Sequence, residues 1–129
     1  MRQFLLAVVL VLIPVAGFTA FHLLMALKAA STSGLGDLSA LKAIVTDVQA
    51  QVDKGDMAAA SSRMTDYEGA WDQSQTSIRP LNPLFWSHVD AASDVAIKTL
   101  RDPHVPANSA KKALSVLRAS LDDPSKAAP

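Results

Sequence analysis

Cysteine is absent from the 129 residues, so the chain can form no disulfide, no thiolate metal site and no thiol nucleophile. Glutamate occurs once, at Glu68. His22, His88 and His104 stand far apart, and the His-x-x-Glu and His-Glu-x-x-His spacings of helical metal sites are missing. No serine lies in Gly-x-Ser-x-Gly, and no glycine-rich loop is built to cradle a phosphate. An excess of one charge is missing too: 12 Lys and Arg face 12 Asp and Glu. Residues 29–129 carry ten basic and twelve acidic side chains. That balance argues against nucleic acid as a partner, which needs a concentrated basic surface.

What is present first is a long apolar run, Phe4 to Leu27, free of acidic and strongly basic residues. As a helix rising about 1.5 Å per residue it would cross a hydrocarbon core of about 30 Å. Arg2 and Lys28 bound it with cations that can snorkel. Pro14 predicts a kink in such a helix. A cleaved secretory signal is the competing reading, with Val15-Ala16-Gly17 as the small-residue cleavage site. The apolar character continuing through Phe18–Leu27 favours an anchor. His22 lies near the exported end of the span, where an ionisable residue draws attention. Either fate sends the remainder outside the cytoplasm. The expectation is therefore a single-pass protein of a bacterial inner membrane, held through residues 4–27, with its C-terminal part in the periplasm.

The rest divides as follows: residues 1–30 form the anchor or uncleaved signal, 31–36 a linker, 37–123 a four-helix bundle and 124–129 a disordered tail. The linker ends in small and polar residues of the run Ala29–Gly36. Asp37 is the expected N-cap of a helix whose apolar stripe is Leu38, Leu41, Val45, Val48 and Val52. Gly55 ends that helix and Asp56 caps the next at once, so the two must be antiparallel neighbours. The second stripe is Ala60, Met64, Tyr67, Trp71 and Ile78. Asn82 as N-cap with Pro83 at the first position starts a third helix, holding Phe85 or Trp86, Val89, Ala92, Ala96 or Ile97, and Leu100. A fourth starts near Asn108 or Ser109 and carries Ala110, Ala113, Leu114, Leu117 and Leu121. No stretch alternates as a strand does. The fold class is all-α, an N-terminal transmembrane helix followed by an antiparallel four-helix bundle.

Charge is uneven: nine acidic and four basic residues between Asp37 and Asp94, then six basic and three acidic from Ala96 onward. A basic fourth helix packed beside acidic neighbours accounts for this within the molecule. The richest polar constellation joins Glu68 and Asp72, four apart on the second helix, with His88 and Asp94 on the third. On facing helices these four could bind a divalent metal ion. No other cofactor is expected, and no catalytic residue.

Gly55-Asp56-x-x-Ala59-Ala60, Tyr67-Glu68-x-x-Trp71, Val89-Asp90 and Leu117-x-x-x-Leu121 make residues 38–121 resemble two groups. One is a set of small bacterial proteins with an N-terminal membrane anchor, for which the resemblance implies no activity. The other is the extracytoplasmic helical domain of bacterial iron permeases, which implies a metal role. This chain departs from that role in lacking a second glutamate. The leading expectation is a non-enzymatic, membrane-anchored bundle that acts through a protein partner or as a homo-oligomer, as an accessory module of a membrane complex. The alternative is a periplasmic cation-binding module using Glu68, Asp72, His88 and Asp94.

Overall fold

The computed structural model describes residues 34–129. The stretch 4–27, with its expected kink at Pro14, His22 and its orientation, lies outside the described residues. Four helices follow one another: α1 Ser39–Asp53, α2 Met57–Ile78, α3 Pro83–Arg101 and α4 Ala107–Asp122. Among the described residues there is no strand, and no helix is long and apolar enough to cross a membrane.

Each helix packs on its neighbours in chain order, and α4 closes back on α1. Cross-helix pairs give the directions. Along α1 the partners of Lys42, Thr46 and Asp53 on α4 are Asp122, Arg118 and Lys111. Rising numbers meet falling ones, so the two helices are antiparallel. Tyr67 and Trp71 of α2 meet Ser93 and Asp90 of α3 in the same sense. The result is an up-down-up-down bundle.

The core is the set of expected stripes. Leu38, Leu41, Val45, Val48 and Val52 are buried, as are Ala60, Met64, Tyr67, Trp71 and Ile78. Val89, Ala92, Ala96, Ile97 and Leu100 face them from α3, and Ala110, Ala113, Leu114, Leu117 and Leu121 from α4. Phe85 and Trp86 are both half-buried against the core's edge. Apolar residues three and four apart align on one helix face and leave water together, which is why this part of the fold was readable.

The α1–α2 turn shows how sequence fixes a corner. Gly55 has φ 77°, a left-handed conformation that costs a side chain about 1–2 kcal/mol. Its N–H donates to the Val52 carbonyl, and the Asp56 N–H donates to Gln51. This pair of bonds satisfies carbonyls that the helix end would otherwise leave open. Asp56 then turns its side chain to the next helix and accepts from the Ala59 N–H at 3.0 Å. Asn82 does the same for α3, accepting from the Phe85 N–H at 3.1 Å.

Four boundaries differ from expectation. Asp37 sits one residue before the cap position and accepts from the Ser39 N–H at 2.9 Å, a local Asx turn. α4 starts at Ala107, because the Pro106 carbonyl already accepts from Ser109 and Ala110. The described part of the expected linker is no free tether. Leu35 is fully buried in the core, and Gly34, at φ 61°, lies so near Phe85 that a Cβ would come within 2.9 Å of its ring. Nor does the tail fray. Pro124 is buried, its carbonyl accepts from the His88 Nδ1–H at 2.9 Å, and Ala128 packs against the core.

Candidate functional site

Two helices, α2 and α3, bring together nearly all the aromatic and polar groups that could carry a specific role. Tyr67 and Ser93 are fully buried, and their hydroxyls share a hydrogen bond of 2.7 Å. Burial pushes the Tyr67 hydroxyl far above the ordinary tyrosine value, with Asp90 adding to the effect. It stays protonated through any working pH. One turn further, the Trp71 Nε1–H donates to Asp90 Oδ1 at 2.9 Å. The indole of Trp86 then stacks on Trp71, with centroids 6.0 Å apart and planes 10° from parallel. Arg79 caps the stack, its guanidinium carbon 4.8 Å from the Trp86 ring.

These contacts are structural in kind. Each polar group is matched to one partner, as a buried donor or acceptor must be. The exception is the Trp86 Nε1–H, which is buried without a partner among the described residues.

The four predicted metal ligands do not come together. Glu68 forms an ion pair with Arg101. Asp72 accepts from its own helix, through the Gln75 side chain at 3.1 Å. His88 donates to the Pro124 carbonyl, and Asp94 is exposed. Among the described residues no group of three or more His, Asp or Glu side chains could hold a metal ion. The reason is register. Setting Tyr67 against Ser93 leaves Glu68 opposite Arg101, while His88 is taken by the tail.

Other charges are spent on the molecule itself. Arg63 joins Asp47 of α1 at 2.9 Å to Asp66 of its own helix at 3.0 Å, and these hydrogen bonds hold the guanidinium's pKa above its ordinary value. Lys42, Lys111 and Arg118 tie α1 to α4. Of these contacts, Lys111–Asp53 joins a basic α4 side chain to an acidic one of α1, Lys42–Asp122 has the charges the other way round, and Arg118 donates to the neutral Thr46 hydroxyl. Exposed pairs of this type contribute little each, about 0–1 kcal/mol. The spacing Ser-x-x-Lys, which can mark a serine nucleophile beside its base, occurs at Ser39–Lys42 and Ser109–Lys112. Both serines are exposed, Lys42 pairs with Asp122, and among the described residues no hydrogen bond joins either serine to its lysine.

Two surface features remain. A groove of about 370 Å³ between α3 and α4 is lined by Ala92, Val95, Thr99, Lys112, Val116 and Pro129, with Val95 56% exposed. At the α2–α3 turn, Leu81 is 59% and Leu84 62% exposed beside half-buried Phe85 and Trp86. Sequence reasoning missed this second patch because it placed Phe85 or Trp86 on the core face of the third helix and did not weigh Leu81 and Leu84 beside them. The signal was Leu81, Leu84, Phe85 and Trp86 crowded into six residues, more apolar groups than one helix face can bury.

Compared with protein-family models, with curated proteins and with solved structures, the chain matches none.

Proposed function

We propose that the chain is a membrane-anchored, extracytoplasmic helical module that works by contact with a protein partner in a membrane complex, without catalysis. The observation that carries this reading is the apolar stretch Phe4–Leu27 between Arg2 and Lys28, long enough to span a bilayer as a helix. Support comes from the bundle's chemistry, in which the buried Tyr67 hydroxyl pairs with Ser93, the Trp71 indole with Asp90, and charged groups pair across helices. The groove beside Val95 offers a face for a partner helix or loop. No observation favours the cation-binding alternative.

A photoreactive amino acid placed at Val95 in the full chain, expressed in native membranes, tests the reading. A discrete adduct from Val95, absent when the probe is moved to exposed Thr65, is expected. Floating, membrane-held chain that gives no adduct from either position would contradict a contact function.

A further inference from the structure

Leu84 and Leu81 are the most exposed large apolar side chains among the described residues, ahead of Val95, and they flank one tight corner. Ile78 is buried one turn before them, so the apolar surface continues from the core outward. Phe85 and Trp86 add half-buried rings to the same corner. Arg79 lies over Trp86, and among the described residues no carboxylate pairs with it. An apolar surface rimmed by an indole and an unpaired guanidinium has the composition of a membrane–water interface.

The chain also enters the bundle at this corner. A Cβ on Gly34 would strike Phe85, and one on Gly36 would stand 3.7 Å from Leu81. Only six residues, seven Cα steps, separate Leu27, the last of the apolar stretch, from Gly34. Fully extended, they reach at most about 25 Å. The 22 residues of α2 run about 33 Å along its axis. The corner where Gly34 meets Phe85 is therefore tied by the chain to within about 25 Å of the last apolar residue, a reach shorter than the bundle is long.

We propose that the α2–α3 corner, Arg79 to Trp86, is a second membrane contact, in which Leu81 and Leu84 enter the headgroup boundary of the bilayer that holds residues 4–27. The inference rests on the anchor reading above and adds a fixed orientation to it: the bundle lies with this end on the lipid and its Lys54–Asp56 end in water. The partner is lipid, recognised by apolar insertion. Asp37, exposed beside the same corner, argues against a purely electrostatic attraction to anionic headgroups.

The chain lacks cysteine, so one nitroxide label can be placed at will. Full-length chain with Leu84→Cys or, as a water-facing control at the opposite end, Ala58→Cys is reconstituted into phosphatidylcholine vesicles and floated on a density gradient. Electron paramagnetic resonance then compares relaxation by oxygen, which concentrates in lipid, with relaxation by a water-soluble nickel chelate. The expected result is a label at 84 that is exposed to oxygen and shielded from nickel, with a label at 58 open to nickel. Equal nickel access at both sites in floated chain overturns the second contact and leaves the anchor reading intact. Chain that does not float overturns both. Shielding at 84 accompanied by dipolar broadening between labels overturns the lipid assignment in favour of a second copy of the chain.

Discussion

Removing either hydroxyl of the Tyr67–Ser93 pair should cost more than removing both would suggest. Both residues are 0% exposed, and their oxygens are 2.7 Å apart. Ser93→Ala leaves the Tyr67 hydroxyl buried with no partner and no water, a penalty of about 1–3 kcal/mol. Alanine's better helix propensity returns at most about 0.5 kcal/mol. In Tyr67→Phe the orphan is the Ser93 hydroxyl, which can turn back to a carbonyl of its own helix, so the loss is about 1 kcal/mol. The double variant leaves no orphan and should be less destabilised than the sum of the singles by about 1 kcal/mol. Urea unfolding of the full chain in detergent micelles reads this directly. Both tryptophans, Trp71 and Trp86, lie on the two helices that the pair joins. Additive single effects, within about 0.3 kcal/mol, would refute the contact.

Three further outcomes follow from the same geometry. Gly55→Ala should destabilise by about 1–2 kcal/mol in the same assay, because the cost is the φ of 77° rather than a clash in the open space around it. The Asp123 carboxyl is held below its ordinary value of 3.8, first by the Ser125 hydroxyl and then by Lys126. A depressed carboxylate stabilises the fold above its unfolded pKa, and this is lost as pH falls through the folded value. Amide NMR shifts of Ser125 and Lys126 should therefore move with a midpoint below 3.8. Calorimetric titration of the chain with Fe²⁺, Cu²⁺, Zn²⁺ and Ca²⁺ should show no micromolar binding that Glu68→Ala removes, since Glu68 is paired with Arg101 and stands in no metal-binding group. Such binding would restore the four-residue metal site.

The helices and their buried faces were legible because each is written locally. Val45, Val48 and Val52 need only their own spacing to define a face, and Gly55-Asp56 carries its turn in two residues. The caps at Asp56 and Asn82 were equally plain. Leu35 was not, because a single leucine between two glycines has no periodicity to reveal that it is buried in the core. The tail hid its order for the same reason, since Pro124 is fixed by His88, 36 residues away. The candidate site failed at a different level. Glu68 and Asp72 do lie one turn apart, but which residues of α3 they meet is set by how the two helices slide against each other. That register is decided by the fit of Tyr67 to Ser93 and Trp71 to Asp90, and no spacing within one helix encodes it.

The central claim is that residues 4–27 hold this bundle at a membrane with its helices outside the cytoplasm. Protease treatment of spheroplasts carrying the full chain, after confirming that the chain resists alkaline extraction, tests it most directly. The account predicts membrane-retained chain whose residues 34–129 are digested from outside while a cytoplasmic marker survives. Chain released by alkali, or digested only after the membrane is broken, would contradict it.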